Sequence, residues 1–359
     1  MDRAFEYVFP AIRGIQAGRE FYVSMCPLRL IPRMFLFNEA ELVPELRAQR
    51  QLNKQRLPEI ARYIADNRDS YVFSAITASI DADVEFRPSH DHTDVGALHV
   101  PMSAKFIIND GQHRRAAIEM AIAQCPDLAD ESISVVFFMD RGLQRCQQMF
   151  ADLNRYAIRP SSSLNVLYDT RDAKGQLSKL VVDSLPDIKA LINLEQSSLS
   201  AGSKQLFTLS ALFNATSTLM DGHDFEDARD QTVIAFWQEV YNQMVEWQVV
   251  RSGGMTAGTF REQYLHGHAV VLHAIGRVGN SLLRTHGRGW KGKLAGLKDI
   301  DWRRSANGWE GRAMVGGTAQ KSRTNVILTA NLIKTRLGLA LTAEEQRVED
   351  ALMRAVRAA

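Results

Sequence analysis

The sequence predicts an α+β protein in two parts, a mixed α/β half followed by a mainly helical half. Two observations predict it. Short β-branched and aromatic runs alternate with helical segments in the first part of the chain, and beyond about Thr170 the apolar stretches repeat at helical spacing. The length, 359 residues, suits about two domains with a substantial core. We place the domains at 1–170 and 171–359.

Taken in order, "EYVFPAIRGIQ" and "REFYVSMC" are β-rich runs joined at Ala17-Gly18, a hairpin signal. In "RLPEIARYIADN", Pro58 suits a first helical turn, and Ile60, Tyr63 and Ile64 share one face, which predicts a short amphipathic helix. "SYVFSAITASID" reads as a strand, "FRPSHDHTDVG" as a polar loop and "AKFIIND" as a buried strand. "GQHRRAAIEMAIAQC" reads as a helix and "SISVVFFMD" as a further strand. "GLQRCQQMFADLNR" and "SSSLNVLYDT" read as helices. In the second half "LFTLSALFNATSTLM", "DQTVIAFWQEVYNQMVEW", "EQYLHGHAVVLHAIGRVGNSLLR" and "TNVILTANLIKTRLGL" are all helical. The last, "LTAEEQRVEDALMRAVRAA", opens with Thr342 and Glu345 at capping-box spacing.

Composition bounds the function. With 45% hydrophobic and 23% charged residues and no apolar run long enough for a bilayer, the chain reads as soluble and globular. Nothing in "MDRAFEYVFPAIRG" marks it for export. Cys26, Cys125 and Cys146 are too few and too scattered for a disulfide framework or a zinc finger and fit a reducing cytoplasm. The net charge of +2 is uneven. Between Arg284 and Arg323 ten cations face three acids, so this stretch carries +7 and the remainder −5.

The densest chemistry lies in "KFIINDGQHRRAAIEMAI". A strand–glycine–helix unit is an anion-binding geometry, because Gly111 lets a ligand approach the backbone and the helix start presents free N–H groups. Arg114 and Arg115 can add charge-assisted bonds to phosphate oxygens. His113 can donate or accept near neutral pH, and Asp110 can cap the helix, hold a metal-bound water or act as a base. Cations in a first helical turn oppose the helix dipole, so the expected beneficiary is an anion from outside, and folding is expected to survive Arg114→Ala.

"DGQHR" behind a short apolar strand resembles the signature of the DGQHR-domain family, and the similarity extends over most of the chain to DndB-like DNA sulfur modification proteins. "QRQLNKQRLPEIARYI" resembles that family's upstream helix with its arginines, Arg50 and Arg56. "MFADLNRYAIRPSSSLNVLYD" resembles its downstream segment, where Asn154 and Arg155 precede a Ser-rich helix start. "DIDWRRSANGWEGRAM" and "LGLALTAEEQ" resemble its C-terminal half. The resemblance implies a ParB/sulfiredoxin-like N-terminal domain, in which a Gly-x-x-Arg turn holds nucleotide phosphates. It groups Arg56, Asn154 and Arg155 with Gly111, Gln112, Arg114 and Arg115 as phosphate or nucleotide ligands. It further implies a regulator of DNA phosphorothioation that binds the promoter DNA of its gene cluster.

In the basic stretch, Arg288, Lys291, Lys293, Arg303 and Arg304 are the candidate contacts to duplex DNA, since concentrated cationic charge is the electrostatic footprint of nucleic acid. Trp290, Trp302 and Trp309 are read as packing anchors. "SHDHTD" offers His90, Asp91, His92 and Asp94 without a placed further ligand, and His266 and His273 read as surface or interface histidines on one helical face, so no metal is assigned. Cys26 is a redox candidate if Arg29 or Arg33 lowers its pKa.

Two classes of function remain. One is a DNA-binding regulator, a homo-oligomer by analogy with dimers on palindromic operators. The other is an NTPase or NTP-dependent nickase using ATP or another NTP with Mg2+, in which Asp110 or His113 activates water. The second lacks an obvious partner carboxylate for Mg2+, Asp152 and Asp169 being candidates.

Overall fold

The computed structural model describes residues 5–35, 53–141, 145–155, 160–223 and 229–358. The chain divides into two compact units, residues 1–158 and 159–359. The first unit is mixed α/β. Its strands are β1 (Glu6–Gln16), β2 (Arg19–Pro27), β3 (Ile76–Asp81), β4 (Glu85–Pro88), β5 (Val95–Pro101), β6 (Lys105–Asp110) and β7 (Ser132–Met139). They form one mixed sheet in the order β4-β5-β1-β2-β7-β3-β6, in which β3 and β7 run parallel and the other neighbours antiparallel. Ala17 and Gly18 both take positive φ at the expected hairpin, the backbone that matches the twist of the flanking strands.

Alternation decides which face is buried. Ile133, Val135 and Phe137 point into the same core as Phe9, Ala11, Ile76, Ala78 and Ile80. Among the described residues its helices are α1 (Ile31–Met34), α2 (Leu57–Asp66), α3 (Gln112–Gln124) and α4 (Cys146–Arg155). Ile64 of α2 and Ile118 of α3 complete that core, while α4 packs against β6. Two readings are corrected here. "SYVFSAITASID" becomes a strand only from Ile76, and the segment predicted as a polar loop is bounded by a paired hairpin, β4 with β5. The strand β5, "VGALHVP", carries a glycine and a terminal proline that hid its β character.

The second unit is mainly helical. Its helices are α5 (Ser162–Tyr168), α6 (Ala173–Ser184), α7 (Pro186–Leu191), α8 (Leu209–Leu219), α9 (Arg229–Gln243), α10 (Val245–Arg251), α11 (Ala257–Gln263), α12 (Ala269–Thr285), α13 (Trp290–Leu294), α14 (Arg323–Arg336) and α15 (Ala343–Ala358). Its core centres on Phe236, Trp237, Ile275 and Val278. The helix predicted from "EQYLHGHAVV" begins only at Ala269, so His266 lies ahead of it rather than on it. The expected capping box forms: Thr342 Oγ1 accepts from the Glu345 N–H at 3.3 Å, and Glu345 accepts from the Thr342 N–H at 3.0 Å.

Candidate functional site

The DGQHR turn lies where β6 ends and α3 begins. Gly111 has φ 115°, a conformation that side chains resist, and a Cβ there would come within 3.0 Å of Ile76 and 3.2 Å of the Arg114 guanidinium. Glycine is thus required by the turn itself. No side chain caps α3. Asp110 instead accepts from Arg114 Nη2 at 2.6 Å, which overturns the helix-cap reading.

The two arginines are held from inside the chain. Arg114 donates to Ser74 Oγ at 2.6 Å and to the Ala75 carbonyl at 3.1 Å, as well as to Asp110, and so ties the approach to β3 onto the turn. Arg115 is buried; it donates to the Phe35 and Pro32 carbonyls, each at 3.0 Å, and pairs with Glu119. The cationic first turn therefore does not depend on an outside anion, because Asp110 and Glu119 offset it at i−4 and i+4. Gln112 is buried as well, its amide donating to the Ile108 carbonyl at 3.1 Å.

His113 faces the other way. Its Nε2 accepts from the Asn53 N–H at 3.0 Å, which fixes the neutral tautomer with the proton on Nδ1. Burial, and after it the positive charges of Arg56 and Arg114, hold the imidazole below its ordinary value, with Asp110 opposing. Arg56 is exposed on the short turn that leads into α2. Asp110, His113, Arg114 and Arg56 therefore share a region of net positive potential. Asn154 donates to its own helix at Phe150 and Arg155 is exposed at the end of α4, while Arg50 lies outside the described residues. Asn109 was not anticipated. It is fully buried beneath the turn, donates to Ser79 Oγ at 2.8 Å and leaves its own Oδ1 without a partner. A polar residue inside "FIIND" was the available signal.

In the basic stretch the tryptophans are buried as expected, Trp302 stacking on Trp309 at 5.4 Å. The cations separate into two kinds. Arg303 forks onto Asp301, whose carboxyl it holds down to about 2, and Arg304 donates to the Gly317 carbonyl at 2.7 Å. Lys291, Lys293 and Lys298 stand exposed on α13 and the turn after it. Arg288 sits in the turn Gly287–Gly289, its side chain outside the described set.

A family model described as DndB, DNA-sulfur modification-associated, matches residues 9–340. The chain belongs to the DndB family. No curated protein matches it, and no solved structure does.

Other candidates in this DndB-family chain resolve on geometry. Cys26 is fully buried and burial pushes its thiol up to about 11, so the lowered pKa that a redox role needs is not met. His266 is fully buried among Trp247, Phe260, Tyr264 and Trp302, 3.2 Å from the Glu246 carboxylate. His273 bonds Thr218 Oγ1 at 2.8 Å. His266 is thus not a surface residue, and His273 is half-buried. Among the described residues no group of three or more His, Cys, Asp or Glu is gathered for a metal, and no helix is long and apolar enough to cross a membrane. Asp152 accepts from Gln148, and Asp169 accepts from the Arg171 and Asp172 N–H groups.

Proposed function

We propose that this DndB-family protein is a DNA-binding regulator of a phosphorothioation gene cluster and acts as a homo-oligomer. The helical unit holds duplex DNA, and the DGQHR turn of a ParB/sulfiredoxin-like first unit takes a phosphate or a nucleotide. The observation that carries the reading is the exposure of Lys291, Lys293 and Lys298 within a segment of charge +7. The DNA-sulfur association of the family supports it, and so does the positive potential that His113 feels from Arg56 and Arg114.

The revised contact set moves the test from the arginines to the lysines. Duplex binding followed by fluorescence anisotropy across a salt series should lose roughly one unit of slope in log K against log salt for each phosphate contact removed. Lys291→Gln/Lys293→Gln/Lys298→Gln should flatten that slope, and Arg303→Ala should change it less. An unchanged slope in the triple variant would place the DNA elsewhere. With an NTP and Mg2+ present, turnover that disappears in Asp110→Asn would replace the regulator reading by hydrolysis.

A further inference from the structure

The helix α15 is seated on the rest of the second unit mainly by charge, with Leu352 half-buried beside Gly311. Of its described side chains, only Glu345 is buried. Glu345 accepts from Lys334 Nζ at 2.9 and 2.8 Å and lies 3.2 Å from Arg277 Nε. One turn on, Glu349 pairs with Arg312 and accepts from the Asn331 amide at 3.2 Å. Lys334 and Glu345 are each 2% exposed. Met353 and Val356 face solvent, so the outer side of the helix has no apolar cover. The cations come from α12, α14 and the basic stretch, all inside the family match, whereas the carboxylates come from a helix that begins at residue 343, beyond the match's end at 340.

Buried ion pairs are a poor choice for permanent docking, because apolar residues of similar volume hold a seam at least as well. They suit a seam that opens. A released carboxylate or ammonium returns to water at little cost, while a released apolar stripe does not. Arg277, Arg312 and Lys334, with the Asn331 amide among them, also form a donor set that fits phosphate oxygens as well as carboxylates.

We propose that the groove beneath α15 is a DNA phosphate site, occupied in the closed protein by the protein's own Glu345 and Glu349 and vacated when duplex DNA displaces the helix. This rests on the DNA-binding reading above. The test uses the full chain. Glu345→Gln/Glu349→Gln removes both anchoring charges, and Glu344→Gln/Asp350→Gln removes two exposed charges of the same helix as a control for net charge. The seat variant should bind duplex DNA about tenfold tighter than the control variant, and protease should cut α15 sooner. Equal affinities in the two variants, with α15 released, would overturn the proposal. In the wild type, backbone amides of α15 should exchange faster on adding saturating duplex DNA, a readout that does not require the seat variant to fold. Unchanged or slower exchange would also overturn it. If neither the wild type nor any variant binds duplex DNA, the DNA-binding reading itself falls; binding without tightening sinks only the displaced helix.

Discussion

Arg114 and Arg115 occupy adjacent positions in one helical turn and have different duties. Arg115 satisfies two backbone carbonyls in a buried setting. Arg115→Ala should lower stability by about 2–3 kcal/mol, since two acceptors lose a charged donor, and should leave phosphate binding unchanged in the fraction that folds. Arg114 anchors Ser74 and Ala75 but also contributes to the positive potential at His113. Arg114→Ala should therefore cost about 2 kcal/mol in a denaturant melt, where the helix dipole alone led to the expectation that folding survives the change. His113 would report an anion bound at the turn directly. An anion beside it favours the imidazolium, so its pKa should rise when inorganic phosphate or a nucleotide is added. An NMR titration of the ring protons with and without phosphate checks this, and an unmoved midpoint rejects the anion site at the turn.

At the scale of elements, α15 is the one whose hold depends on protons. Arg312 holds Glu349 below the usual carboxylate range; burial works against ionised Glu345, and Lys334, the Thr342 N–H and Arg277 outweigh it. A carboxylate with a lowered native pKa contributes stability that is present above its unfolded value and lost as pH falls through the native one. The protection of α15 amides, taken against their intrinsic exchange rate at each pH, should thus fall as pH drops below the ordinary glutamate value of about 4.3, before that of the core helix α12. Thr342→Ala should loosen the same helix by about 1 kcal/mol through loss of the cap. Exchange in α15 that tracks α12 across this pH range would show that the helix is not an independent element.

For the whole molecule, acid lability begins earlier, in the second unit's histidines. Burial holds His266 and His268 below their ordinary value and brings His273 down to about 4. A base whose native pKa is lowered stays neutral in the fold while the unfolded chain takes up the proton. Its contribution is therefore complete above the unfolded value of about 6.5 and declines as pH falls toward the native one. Thermal melts should show Tm falling from pH 6.5 to pH 4, as the free energy of unfolding drops by at most about 1.4 kcal/mol per pH unit for each proton. His273→Asn, which can still meet Thr218, should make that decline shallower. A Tm flat over this range would contradict the burial of these rings.

The sequence by itself determined the mixed make-up of strands and helices, the hairpin at Ala17-Gly18, the strand–glycine–helix unit at Gly111 and the capping box at Thr342, because each depends on local backbone preference or on periodicity. It also determined the burial of the three tryptophans. It could not assign charge. Arg114, Arg115, Arg303 and Arg304 look alike as letters, and only the fold decided that Arg115 serves two carbonyls from α1's end and that Arg303 is held by Asp301. The same holds for Cys26, His266 and the seat of α15, where Lys334 meets a glutamate eleven residues on. Electrostatic roles depend on partners and burial that chain separation does not encode, and those are fixed only when the elements pack.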